Sequence, residues 1–491
     1  MNDTVLVIGG GIGGLSAAIQ LAHAGKQVTL LEKNAQIGGR AQVLEKDGFR
    51  FDMGPSWFMC RDIFEVWFES IGEKLQDWVS LTHLSPSYRI FSSLHPDGKF
   101  DIFSGITPNR VLFESLEPGS FAKFEQYIAR SKRQYDISKR YFLYEDLPWW
   151  RYLSPKIGLA GSQITLFPTI DKYVARYIQH PLLRQIIQYH LAFLGSSPYT
   201  TSALYSMMNF VDQQGVWYPA GGMRAVVEAL EKIAQKKNII IHTNTEVNLI
   251  ESESNRVNKV LTKNGQIFEA NTIVFNGHIR SADQIISGKP QLTPTQWAKK
   301  EWAPSAVCIF AGFDTKIPNL MHHNLVFSAD DAQYYREVFD APVFPTDPNF
   351  YVCAASKTDL SVAPVGCENI NIVLPVSPHL AATPEFLEAY AQEILGKAMI
   401  AAGFLDWQSH LLFCTVHAHD YYKSEFNAPF GTAIGLSHTL SQTGPLRSAN
   451  RHRRLKNLYF VGADTNPGIG VPMCLISGQR TASRILREST F

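Results

Sequence analysis

Near the start of the chain the apolar residues form one short unbroken block, Val5-Leu6-Val7-Ile8. Six positions follow of which five are glycine, and then comes Leu15-Ser16-Ala17-Ala18-Ile19-Gln20-Leu21-Ala22. The block predicts a buried strand, the glycines a turn and the small apolar stretch a helix. Ala24-Gly25 offers that helix a left-handed stop, and Gln27-Val28-Thr29-Leu30-Leu31 predicts a second strand ending at Glu32. Further along, Asn238 to His242, Thr245 to Ile250 and Val257 to Lys263 read as successive strands. Asn264-Gly265 makes a two-residue hairpin turn before a strand over Gln266 to Phe275. Gly221-Gly222-Met223 precedes an amphipathic helix over Ala225 to Ala234. At the far end Asn457 to Asp464 predicts a buried strand closing in a small-residue turn, and Gly468-Ile469-Gly470-Val471-Pro472-Met473 opens a helix through Ile485.

The order strand, glycine turn, helix, strand and acid carries chemistry. Gly9, Gly11 and Gly14 fill the Gly-x-Gly-x-x-Gly pattern, with Gly13 in the same turn: the first turns the chain, the second admits a pyrophosphate to the backbone, the third lets helix and strand pack closely. Glu32 stands 18 residues beyond Gly14, where a carboxylate takes both hydroxyls of an adenosine ribose and repels a 2′-phosphate. Gly38-Gly39-Arg40 and Asp52-Met53-Gly54-Pro55 come next and allow a second close backbone approach to an extended ligand, which favours FAD over NAD. The turn at Gly462 and Asp464 and the helix opening at Gly470-Val471-Pro472-Met473 suit the flavin ring and ribityl chain, because a helix start presents free N–H groups and partial positive charge. These pieces of one site lie over 400 residues apart, so the dinucleotide domain is expected to be discontinuous.

Composition narrows the rest. With 45 Lys+Arg against 44 Asp+Glu there is no basic footprint for nucleic acid. Six cysteines without a Cys-x-x-Cys pair indicate neither a disulfide framework nor a zinc knuckle, and fit a reducing cytosol. The amino-terminal residues lack the basic region of a secretory signal, and no window reaches the roughly 18 to 20 uncharged apolar residues of a membrane span. Yet 30 Phe, 19 Tyr and 9 Trp are enough aromatic surface for binding at a bilayer interface. His322-His323 and His417/His419 lack acidic partners and helical i,i+4 placement, and no metal is assigned.

The assembled motifs resemble the flavoprotein amine-oxidase superfamily and, within it, the bacterial carotenoid desaturases of phytoene and diapophytoene type. The resemblance runs through Val7 to Gly14, Glu32-Lys33, Gly38-Gly39-Arg40, Phe51-Asp52-Met53-Gly54-Pro55, Leu183-Arg184-Gln185, Gly215 to Met223, His322-His323-Asn324, Ala363-Pro364-Val365-Gly366 and Leu458 to Pro472, essentially the whole chain. It departs at Thr465-Asn466-Pro467-Gly468, where histidine is usual before Pro-Gly, and at Arg447-Ser448-Ala449-Asn450, where Arg-Pro-x-Asn is usual; the asparagine is similar to carotenoid oxidases acting on terminal methyl groups. The resemblance implies an α/β fold: a Rossmann-like FAD domain from residues 1–85, 215–290 and 440–491, an α+β substrate domain from 86–114 and 291–439, and a helical lid or membrane-associated region over 115–214. It adds Lys33, Gly54, Pro55, Ser56 and Val247 to the expected FAD contacts.

Removing hydrogen from an allylic carbon chain needs an acceptor, which flavin supplies, and an apolar, charge-poor tunnel. Phe167, Tyr173, Tyr177, Tyr189, Phe193 and Tyr199 are placed over that tunnel and near the membrane. Asp136 and Asp420 are the candidate bases, since a carboxylate near a polyene accepts a proton or stabilises cationic charge. Cys474, inside the last helix, is not expected to link covalently to flavin. The implied activity is FAD-dependent desaturation of a C30 or C40 polyene at the cytoplasmic membrane surface, with quinone or dioxygen as electron sink. The alternatives are a terminal-methyl oxidase or oxygenase and a non-redox isomerase using reduced flavin.

Overall fold

The computed structural model describes residues 3–145, 151, 154–288 and 290–489, with the backbone alone at Phe193. Its first sheet is wholly parallel. The five strands lie in the order Leu458–Phe460, Thr272–Phe275, Thr4–Ile8, Gln27–Leu31 and Ile240–His242, so the two ends of the chain and a middle segment share one layer. Central strands covered on both faces need continuous apolar runs, which explains why Val5, Leu6, Val7 and Ile8 are all buried.

Against one face lie Ile12–His23, Arg224–Lys236 and Val471–Ser489. The first and last of these cross closely because Gly478 faces Ser16: a Cβ there would stand 2.5 Å from the Ser16 Cβ and 2.6 Å from the Gly13 carbonyl. Ser16 Oγ donates to the Leu475 carbonyl (2.7 Å) and accepts the Trp67 indole N–H (2.7 Å), tying a third helix, Arg61–Glu69, to the crossing.

The hairpin over Asn264-Gly265 forms, with Gly265 at φ +81°, but the single strand expected over Gln266 to Phe275 does not. Ile267–Phe268 closes the small antiparallel sheet with Val247–Glu253 and Arg256–Thr262, whereas Thr272–Phe275 turns into the parallel sheet. Burial separates the two pieces: all four residues of the second are buried and neither residue of the first is.

A seven-stranded mixed sheet forms the second layer, in the order Leu411–His417, Ser305–Phe313, Glu368–Val376, Phe350–Cys353, His323–Val326, Tyr88–Phe91 and Lys99–Ile102. The apolar stretch before Phe313 is its most enclosed strand, buried at all nine positions. Helices including Ser120–Ser138, Pro181–Gln188 and Met207–Gln213 cover its far end. Among the described residues no helix is long and apolar enough to cross a membrane.

Candidate active site

One cavity of about 1350 Å³ runs from the glycine turns at the carboxyl ends of the parallel strands, where open α/β sheets bind ligands, into the helical region. It exceeds the roughly 300–1,000 Å³ of ordinary ligand pockets. Its lining includes Gly9, Gly11, Gly13, Glu32, Lys33, Gly39, Arg40, Gly54, Pro55, Ser56, Val247, Gly462, Asp464, Gly470, Val471, Pro472 and Met473. Gly14 does not line it. A Cβ at Gly14 would come within 2.1 Å of the Gly9 carbonyl, so this glycine lets strand and helix touch rather than meeting a ligand.

The two glycine turns abut: Gly38 N–H donates to the Gly10 carbonyl (2.7 Å), and Gly39, at φ +58°, leaves only 3.1 Å between its notional Cβ and Gly11 Cα. Glu32 is buried, and burial pushes its carboxyl up from the usual range while N–H groups of Asn34 (2.9 Å) and Gly10 (2.7 Å) hold it down. The Lys33 ammonium bridges to the Ser424 carbonyl (2.5 Å) and Asn427 Oδ1 (3.1 Å) at the cavity rim.

Arg40, half-buried, and the buried His278 and Asp464 form a chain. Arg40 Nη2 meets His278 Nε2 at 2.7 Å and His278 Nδ1 meets Asp464 Oδ2 at 2.9 Å. The same carboxylate accepts N–H groups of Ile279 (3.2 Å) and Leu436 (3.1 Å). Burial alone would raise Asp464, but His278, Arg447 and Arg40 together hold it at about 2. Arg40 Nε is buried without a hydrogen-bond partner. A cationic donor left unpaired beside two bare glycine turns fits an anionic pyrophosphate, and the dinucleotide-sized cavity fits the rest of FAD.

Sequence reading missed His278 and His438, and named Arg447 only as a motif position without a role. His278 follows Asn276-Gly277 directly after Thr272–Phe275, and a signal existed, since the carboxyl end of a parallel strand is where ligands bind. Arg447 donates to five backbone carbonyls, those of Leu436, Ser437, Gln442, Ala463 and Thr465, at 2.5–3.3 Å. Asn450 adds bonds to the Phe460 and Asn466 carbonyls (3.2 Å each). The two residues common to Arg-Pro-x-Asn thus fold the turn that carries Asp464. His438 Nε2 accepts the Ile469 N–H (3.1 Å), which puts its proton on Nδ1, a buried donor with no partner on the cavity wall. Burial keeps this imidazole neutral.

The helical arm of the cavity is lined by Met59, Phe64, Phe142, Leu143, Ile157, Ile164, Leu166, Leu194, Leu204, Met207, Met208 and Val211 with Trp57, Tyr135, His190 and Tyr205. No Asp, Glu, Lys or Arg lines that arm among the described residues. Here three expectations change. Asp136 is a half-exposed surface ion paired with Lys132 (2.6 Å), and Asp420 is almost fully exposed beside Lys423 (3.2 Å); neither lines the cavity, so neither is placed to act as base. Solvent stabilises a carboxylate that an apolar arm would penalise. Of the aromatic set, Tyr173 and Tyr189 are packed in the helical core with Tyr177 against it, Phe167 and Tyr199 are exposed, and none of these five lines the cavity. The side chain of Phe193 lies outside the described residues. Cys474, in the first turn of Val471–Ser489, does line the cavity, with burial raising its thiol to about 11.

Residues 12–486 match the family described as flavin containing amine oxidoreductase. The chain belongs to that family. As a flavin-containing amine oxidoreductase it is an FAD-dependent oxidoreductase. This flavoenzyme is similar to a carotenoid 3,4-desaturase of Haloarcula japonica, 40% identical and covering 99% of each chain. It is also similar to a 4,4'-diaponeurosporene oxygenase of Staphylococcus aureus, 32% identical over 99% of this chain and 98% of the other. An oxidoreductase from Methanosarcina mazei shares its fold, with a TM-score of 0.63 at 16% identity over 99% and 100% of the two chains.

Proposed function

We propose that the chain is a carotenoid desaturase introducing double bonds into a long polyene. The uncharged arm continuous with the flavin end of the cavity carries this reading: a hydrocarbon offers no polar handle, so apolar walls must orient it. Bound FAD supplies the oxidising ring for hydride removal. The chain's own residues do the rest. Arg40 and the turn at Gly9, Gly11 and Gly13 would hold the pyrophosphate, Glu32 the adenosine ribose, and Asp464 would fix His278 and the ribityl side. His438 presents its Nδ1–H to the cavity, and the Met, Leu, Ile and Phe walls exclude water. Quinone or dioxygen is the proposed electron acceptor, since a single dinucleotide fingerprint argues against a built-in NAD(P)H site.

The polyene is proposed to arrive from a lipid surface. Leu159, Leu166 and Phe167 are exposed on or beside Pro155–Ser162, next to the lining residues Ile157, Gly161 and Ile164. An apolar patch at an apolar mouth suits interfacial seating. A second reading, a terminal-methyl oxygenase, is favoured by Asn466 on the cavity wall and by the Staphylococcus aureus relative.

Mixing the FAD-loaded chain anaerobically with a detergent-dispersed colourless C30 or C40 polyene tests the reading. Bleaching of oxidised flavin together with a longer-wavelength polyene band is expected. Unbleached flavin, with the geometry of the polyene altered only once the flavin has been chemically reduced, would replace desaturation by isomerisation.

A further inference from the structure

His322 and His323 open the strand His323–Val326, and His323 sits directly opposite Cys353 in the antiparallel pairing with Phe350–Cys353. One ring nitrogen of each histidine and Cys353 Sγ all lie within 4.8 Å of one another, and all three residues are buried, His323 completely. Each Nδ1 meets a hydroxyl: His322 that of Thr358 at 2.8 Å, His323 that of Tyr351 at 2.6 Å. Both Nε2 atoms are buried without a partner.

This is the donor pattern of a ligated imidazole, in which one nitrogen gives its proton to an outer oxygen and the other keeps a lone pair for an ion. Two buried, unpaired ring nitrogens beside one thiol are costly as plain core. We propose that His322, His323 and Cys353 bind a divalent cation of the zinc type, behind the cavity wall that Trp57 and Tyr351 form. Two imidazoles and a thiolate suit such a borderline-soft ion. A tetrahedral zinc holds these donors roughly 3.4–3.6 Å apart, so the widest pair closes by about 1 Å, within reach of side-chain rotation. Binding displaces the Cys353 thiol proton to solvent. The ion's effect on the cavity passes through stacking, because the Trp57 ring lies on His323 at 4.7 Å and 18° and lines the cavity. The sequence hid the site because its third ligand is thirty residues away and arrives only through strand pairing.

The FAD-loaded full chain, stripped with a chelator, is titrated with Zn2+ and separately with Co2+. One Zn2+ per chain should bind and raise the thermal midpoint, and Co2+ should give the intense ligand-field bands of a tetrahedral thiolate site, to the red of flavin absorption. Cys353→Ser and His322→Gln should each weaken Zn2+ binding more than about 100-fold, beyond what loss of an outer partner does. Absence of stoichiometric uptake, or uptake those changes leave intact, overturns the proposal. Should both variants fail to fold, the cobalt spectrum of the unaltered chain decides: a weak, six-coordinate oxygen-type spectrum overturns it.

Discussion

Arg40 Nε is a cation's buried donor with nothing to bond, and its neighbours are two glycine turns stripped of side chains. Arg40→Ala should therefore abolish FAD retention through desalting, and Arg40→Lys should weaken it, because a single ammonium cannot meet both His278 and a phosphate. Asp464 adds a pH signature. Held at about 2 against an ordinary 3.8, its carboxylate contributes stability present above about pH 4 and lost as pH falls toward 2. The margin of the unaltered chain over Asp464→Asn, on the order of 2 kcal/mol, should shrink across that window in urea melts. Asp52 has the opposite sign: burial raises it to about 6 despite N–H bonds from Met223 and Arg224, so its ionisation costs stability as pH climbs from 4 to 6. Relative to Asp52→Asn, the unaltered chain should lose ground over that interval. At this scale the sequence was legible where a residue's chemistry draws notice, as with Arg40, Glu32 and Asp464, which the structure brings to the wall of one cavity. It was illegible for His278, whose role depends on which strand precedes it, and for Asp136 and Asp420, whose exposure depends on which way a helix faces.

Elements were legible where periodicity and glycine punctuation agree. The opening strand, turn and helix, the 264–265 hairpin and the last helix stand within a few residues of their expected bounds. Gln266 to Phe275 failed because one apolar-leaning run was cut between two sheets, a choice made by long-range pairing and burial rather than by local pattern. The closest backbone approach makes a prediction. Gly14→Ala places a methyl 2.1 Å from the Gly9 carbonyl, so it should destabilise the chain by more than about 3 kcal/mol and expel FAD. Gly161→Ala, in a helix with open space around it, should be neutral or gain up to about 1 kcal/mol. Thermal midpoints of the two variants separate the cases. Arg447→Lys should loosen the turn around Asp464, since one ammonium cannot serve five carbonyls arranged for a planar fork, and lower both thermal midpoint and flavin content.

At the scale of the molecule, the parallel sheet recruits strands from both ends and the middle of the chain, and the cavity leads from it to an uncharged helical arm. That the two ends of the chain meet in one layer was readable because each carries a strand, a glycine turn and a helix; the path of the arm was not, because the aromatic residues chosen for it pack into the helical core or face solvent instead. The apolar mouth predicts lipid contact: Leu159→Asp with Phe167→Asp should reduce co-flotation with phospholipid vesicles while leaving FAD content unchanged, and undiminished flotation would remove that surface from the account. The central claim, oxidation of a polyene without oxygen insertion, is tested most directly in a host accumulating a C30 or C40 polyene. Expression of the chain there, followed by mass and absorption analysis of the extracted pigment, should reveal successive losses of two hydrogens with red-shifted bands. Pigment that instead gains oxygen at its termini would contradict desaturation and establish the oxygenase reading.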